Sequence, residues 1–455
     1  MKKAFDKLTQ GSVRLVEKYL PNPFIFAILL TFVVFISAVL FTQNGPIGVL
    51  DAWYGGFWNL LPFSMQMTLV LVTGTIMATA PAFKRLLQRL AELPKGKFQA
   101  VLYVNAIALL ASFINWGFGL VIGALYAREV AKKVKGVDYP LLIAAAYSGF
   151  LVWHAGISGS IPLKIASGGD ELANETGGAL TQAIPTSETI FATPNLMIAA
   201  FIFLTLPFLL AFMHPNKEED TKTVDPKLLE DEPEPVEVNP EDMTPAEKLE
   251  NSKVINYILA AMGLLFLVRY FYLNGFALNL DIVNFMFLFI AILLHGTPIK
   301  VVKAVTNAAK SVGGIVLQFP FYAGIMGIMT AQGDAGISLA GGIAEFFVNI
   351  SNENTYPVFS FLSAGIVNFF VPSGGGQWAV QAPIMMPASV ELGVDAATTA
   401  LAISWGDAWT NMIQPFWALP ALAIAKLGAK DIMGYSLIVL LYSGLVIILG
   451  FLLLF

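Results

Sequence analysis

The residues able to do chemistry stand at four polar interruptions of an otherwise apolar chain. The first is His154-Ala155-Gly156-Ile157-Ser158-Gly159-Ser160 and the second runs from Asp407 through Thr410 and Asn411 to Gln414. The others are Asn115-Trp116-Gly117-Phe118-Gly119 and Asn368-Phe369-Phe370-Val371-Pro372-Ser373-Gly374-Gly375-Gly376-Gln377. An ionisable side chain inside a long apolar run is a functional candidate by default, which singles out His154 and Asp407. Asp407 suits cation or proton coupling, and Ser148, Ser404, Thr410 and Asn411 offer neutral oxygens near it in sequence or in matching positions. Broken helices add backbone groups, with N–H ends suited to anions and carbonyl ends suited to cations. A carboxylate can therefore be held without a buried lysine or arginine. Asn115, Trp116, Gly117, His154, Ser158, Asn368, Ser373, Gly374, Gly375, Gln377 and Asn411 are the expected substrate contacts. Asn115, Ser148, Gly156, Asn368, Ser404, Asp407, Thr410 and Asn411 are the expected cation-coupling set.

Other chemistries lack their residues. There is no cysteine, and three histidines are too scattered for a metal cluster, so sodium is the one metal considered. No HExxH or GxxxxGK[ST] run supports zinc hydrolysis or nucleotide-driven pumping. Gly156-Ile157-Ser158-Gly159 raises the rival reading of an intramembrane serine hydrolase. Ser158 lies on the same helix as His154, however, whereas a dyad needs its histidine from another element. The expectation is that the chain is no enzyme and has no cofactor beyond a coupling Na+ or H+.

The elements that must position these residues follow from composition. Of 455 residues, 56% are hydrophobic and 13% charged, about half the charge of a soluble domain. Mean hydropathy is +0.71. A soluble fold and a nucleic-acid binder are excluded, and an all-α polytopic membrane protein remains. Residues 214–253 hold 13 acids against five lysines, with six prolines, and read as a mobile acidic linker. Apolar segments fall near 23–42, 57–80, 139–163, 194–213, 254–273, 281–297, 311–330, 395–423 and 432–455. Six clusters contain 24 of the 26 Lys and Arg residues. Placing these in the cytoplasm puts the N-terminus and linker inside and the C-terminus outside. Segments 98–127 and 355–390 then return to the side they came from and are expected to be re-entrant hairpins. The alternative for each is one long tilted, kinked helix.

This order gives two inverted repeats, 1–213 and 281–455, joined by the linker and an extra helix at 254–273. Each repeat pairs a hairpin (98–127, 355–390) with a broken helix (139–163, 395–423). Residues 336–350 and 84–93 read as amphipathic helices lying on the two interfaces.

The runs RLVEKYLPNPFIFAILLT, INWGFGLVIGALYAREVAKK and NFFVPSGGGQWAVQAPIMMPA resemble the AtoE-type short-chain fatty acid transporters over nearly the whole chain. The resemblance implies cation-coupled symport of a small monocarboxylate such as butyrate or acetoacetate. It also implies an elevator-type transport domain on a scaffold, a homodimer and a bacterial inner-membrane location. It assigns cation sites to Asn115 with the stretch after His154, and to Asn368 with Thr410 and Asn411. The sodium/dicarboxylate relatives carry Ser-Asn-Thr at each tip, and only the asparagine is kept here. The alternative is a related carrier for a dicarboxylate, another organic acid or an amino acid.

Overall fold

The computed structural model describes residues 2–229, 243–275, 280–310, 312–333 and 336–455. Among them regular structure is entirely helical. Six helices are long and apolar enough to cross a bilayer: Pro23–Phe41, Lys97–Ile114, Thr193–Phe212, Pro245–Asn274, Gly313–Thr330 and Ala429–Leu454. Leu61–Thr79 is also apolar, but Pro81 opens a new helix, Pro81–Leu90, bent by 83° from Ser64–Thr79. This agrees with an amphipathic segment at 84–93. Its counterpart at 336–350 forms Leu339–Asn349. Residue 311, expected to open a span, and the run 230–242 of the expected linker lie outside the described residues.

Two helix pairs fold back on themselves. In the first, Lys97–Ile114 and Trp116–Lys133 meet at Asn115, the one extended residue between them (φ −154°, ψ 126°). Asn115 Oδ1 accepts from Phe118 N at 3.0 Å and so caps the returning arm. Small residues let the arms touch: a Cβ on Gly119 would lie 2.5 Å from Ser112 Cα. The arms have 18 residues each, about 27 Å of helix by the usual rise, so the hairpin is longer than the segment 98–127 suggests. The second pair, Tyr356–Phe370 and Gly374–Glu391, breaks at Val371-Pro372-Ser373, with Ser373 Oγ accepting from Gly376 N. Its arms are tied by Gln377 Nε2 to Ala364 O (2.9 Å), Gln381 Nε2 to Ser363 Oγ (3.1 Å) and Tyr356 Oη to Met385 O (2.5 Å).

Beside each pair runs an interrupted helix. Tyr139–Ser148 tightens into a 3₁₀ turn at Gly149–Val152, loosens over Trp153–Gly159 and resumes as Ser160–Ser167. Ala396–Thr410 tightens at Asn411–Ile413, opens at Gln414 and resumes as Pro415–Ala425. Pro415 and the glycines supply the breaks. Both interrupted helices begin with an aspartate cap, Asp138 on Leu141 N and Asp395 on Thr398 N.

The start of the acidic linker is docked, unlike the mobile connector its composition suggests. Lys222 N donates to Asp138 Oδ2 (2.8 Å), Tyr139 N donates to Lys222 O (2.9 Å), and Arg128 Nη2 donates to Leu229 O (2.9 Å). Leu229 is buried. Residues 214–229 thus form a strap across the cap of the first interrupted helix and the end of the first hairpin. Their backbone finds fixed partners that composition cannot reveal.

Candidate functional site

The two tips and two breaks converge on one buried polar cluster. His154 Nδ1 lies 2.7 Å from Asp407 Oδ2, joining the two interrupted helices across 253 residues of sequence. Ile161 N donates to His154 Nε2 at 3.1 Å, so this nitrogen presents its lone pair and the ring proton sits on Nδ1, facing the carboxylate. Ser160 Oγ is 3.0 Å from the same Nε2. Trp153 stacks on His154 with centroids 4.1 Å apart. Both members of the pair are fully buried.

The second tip closes on the same helix. Asn368 Nδ2 faces three oxygens: Asp407 O (2.8 Å), Thr410 Oγ1 (2.9 Å) and Asn411 Oδ1 (2.8 Å). Thr410 passes its own proton to Gly365 O (2.8 Å), which leaves Oγ1 free to accept. The first tip is anchored through backbone. Ile157 N donates to Phe113 O (2.8 Å), and Trp116 N donates to Ser158 Oγ (3.0 Å). Gly156 permits this, because a Cβ there would sit 2.4 Å from Phe113 O. Gly374 lets the second hairpin abut the imidazole, its hypothetical Cβ lying 2.7 Å from His154 Cε1.

The buried polar atoms with no partner within the chain include five on the tips and breaks that meet here. Three are donors (Asn115 Nδ2, Asn411 Nδ2 and Trp153 Nε1) and two are acceptors (Asn368 Oδ1 and Asp407 Oδ1). Native interiors carry only a few such atoms, and each costs about 1–3 kcal/mol. Donors match a carboxylate and acceptors match a cation.

The expected residues divide accordingly. Asn115, Trp116, His154, Ser158, Asn368, Gly374, Asp407, Thr410 and Asn411 are brought together, with Gly117 buried beside the first tip and Gly156 at the first break. Ser373 caps the returning arm and Gly375 is exposed. Gln377 Nε2 donates to Ala364 O and Gln381 Oε1 within its own hairpin, and its buried Oε1 is left without a partner. Ser148 and Ser404 each donate to the carbonyl four residues back, Ala144 and Ala400, at 2.7 Å. Ser158 caps Trp116 N, and it is Ser160 that meets His154.

Three positions escaped sequence reasoning. Asn195 donates to Ala155 O (3.0 Å) and accepts from Trp405 Nε1 (2.9 Å), bracing both interrupted helices. Its signal was a lone amide opening an apolar helix. Tyr147 Oη donates to Asn411 O at 2.5 Å. Trp417 packs on Trp116 with centroids 5.4 Å apart, completing a ring cluster with Phe150 and Trp153. Nothing local in the sequence marks these two.

The description "Short chain fatty acid transporter" matches residues 4–454. An Escherichia coli (strain K12) protein provisionally assigned as a short-chain fatty acid transporter is 44% identical over 98% of this chain and 98% of its own length. A Haemophilus influenzae (strain ATCC 51907 / DSM 11121 / KW20 / Rd) protein with the same assignment is 44% identical over 98% of this chain and 99% of its own. The solved Alcanivorax borkumensis YdaH transporter overlaps 95% of this chain and 97% of its own at a TM-score of 0.44 and 14% identity.

Proposed function

The chain belongs to the short-chain fatty acid transporter family, and from that premise we propose that it is a secondary active carrier taking up small monocarboxylates, such as butyrate or acetoacetate, with a cation. Family membership makes it a multi-pass membrane transporter and not an enzyme, with a small carboxylate as the implied substrate. The observation that carries the finer reading is the paired set of unsatisfied atoms, three donors and two acceptors, around His154 and Asp407.

In this reading the substrate carboxylate takes hydrogen bonds from Asn115 Nδ2, Asn411 Nδ2 and the Trp153 indole. Trp116, Phe150 and Trp153 give its short alkyl tail an apolar wall. The coupling cation, Na+ or H+, lies on the acceptor side, with Asn368 Oδ1, Asp407 and the oxygens of Thr410 and Asn411. Cation and anion neutralise each other at one buried place, which favours their crossing together. The two hairpins are re-entrant, the halves 1–213 and 281–455 are inverted repeats, and hairpins plus interrupted helices move as one elevator body in a homodimer. The charge pattern supports a bacterial inner-membrane orientation with the N-terminus and strap in the cytoplasm and the C-terminus outside.

The test is labelled butyrate uptake into proteoliposomes with sodium and pH gradients imposed separately. One gradient is expected to drive accumulation, and unlabelled acetate and acetoacetate are expected to compete. Competition by a dicarboxylate alone would overturn the substrate assignment.

A further inference from the structure

At the end of the first interrupted helix away from the strap, one carboxylate ties the two halves together. Lys164 lies on Ser160–Ser167, one turn beyond the serine that meets His154. Its ammonium is 2.5 Å from Glu175 Oε1. The other oxygen, Glu175 Oε2, accepts from Trp378 Nε1 at 3.1 Å. Trp378 is fully buried on the returning arm of the second hairpin, one turn beyond Gly374, which abuts His154. The Lys164 and Glu175 side chains retain 33% and 18% of their exposure, so a small solute reaches the ion pair although the indole is buried. Lys164 and Arg269 are the two basic residues outside the six clusters, and Arg269 is on the extra helix.

We propose that Lys164 is the docking cation for the incoming carboxylate and that Glu175 is the resident carboxylate the substrate displaces, which releases the second hairpin at Trp378. The proposal rests on the carboxylate-uptake reading above. A substrate carboxylate has the charge and two-oxygen fork of Glu175, so exchange replaces one ion pair with an equivalent one. The indole hydrogen bond has no such replacement. Arrival of substrate is thereby linked to loosening of the arm that closes over His154. Lys164 and Glu175 act here as positioning and gating residues, and the bound state itself stays with the buried cluster.

The decisive experiment is concentration-dependent butyrate uptake by the full chain in proteoliposomes. Lys164→Gln is expected to raise KM about tenfold with kcat within about twofold, and Lys164→Arg to restore KM, as loss and return of one docking charge require. Glu175→Gln removes the competitor and is expected to lower KM about threefold, the opposite sign from loss of a structural clasp. A Glu175→Gln variant whose KM rises like that of Lys164→Gln would overturn the proposal, as would a Lys164→Gln variant with wild-type KM. Absence of butyrate uptake by the wild-type chain would instead overturn the substrate reading, and the latch with it.

Discussion

Asn115 uses its side-chain oxygen inside its own hairpin, on Phe118 N, and leaves its amide nitrogen without a partner. Asn368 does the reverse. Its amide nitrogen reaches out to the interrupted helix at Asp407, Thr410 and Asn411, and its oxygen is left without a partner. The same residue type at matching tips therefore offers a donor in one half and an acceptor in the other. The first tip holds its interrupted helix through backbone, at Ile157 and Phe113, and the second holds its own through side chains. In the proposed reading the first tip thus serves the anion and the second tip the cation, which is what co-transport of a salt needs. A strictly symmetric pair would provide two sites of one kind.

The largest effect is expected where the halves join. Asp407→Asn leaves the His154 Nδ1 proton facing an amide, and loss of a buried hydrogen bond to a charged group costs about 1.5–3 kcal/mol, so uptake should fall by up to about 100-fold. Wild-type uptake by that variant would break the comparison at its centre. Next come the tips themselves. Asn368→Ala should raise the cation concentration for half-maximal uptake about tenfold, whereas Asn115→Ala should raise the butyrate KM with little change in cation dependence. Identical shifts in both variants would show that the tips are equivalent. Gly374→Ala places a Cβ 2.4 Å from Ser160 Oγ and 2.7 Å from His154 Cε1, and overpacking of about 1–3 kcal/mol should lower kcat about tenfold. Gly375→Ala meets nothing within 4 Å and should stay near wild type.

The smallest effects concern the two helix caps. Asp138 is buried and accepts from Leu141 N, Lys222 N and Tyr435 Oη, while Asp395 is solvent-exposed. Burial holds the Asp138 carboxyl above its ordinary value of 3.8, against the pull of its hydrogen bonds. The folded chain then binds that proton more tightly than the unfolded chain. Stability from this group is full below the ordinary value and declines as pH rises toward the raised one. Thermal unfolding of Asp138→Asn should lack that decline, and Asp395→Ala should cost about 1 kcal/mol at any pH above the carboxylate range.

Much of this arrangement is legible in the sequence. Asn-Trp-Gly-Phe-Gly and Pro-Ser-Gly-Gly-Gly are poor helix interiors, so both breaks fall at the expected residues. What the sequence hides is pairing over long separations. His154 and Asp407, Tyr147 and Asn411, and Asn195 and Trp405 are each joined by backbone paths of more than two hundred residues. Choosing Ser160 over Ser158 as the partner of His154 depends on how the chain turns between Trp153 and Gly159. Spacing on an ideal helix gives the wrong serine, because no helix exists there. The docking of residues 214–229 depends likewise on Asp138 and Arg128, far away in sequence.

The most direct measurement is butyrate transport by Asn368→Ala in proteoliposomes, comparing gradient-driven accumulation with counterflow of labelled butyrate. The expected result is accumulation lost at a cation concentration that sustains the wild type and regained at about ten times that concentration, with counterflow retained throughout, because the cation loses one of its oxygens and the carboxylate keeps its donors. Accumulation at the wild-type level at the lower concentration would contradict the assignment of the coupling cation to the second tip.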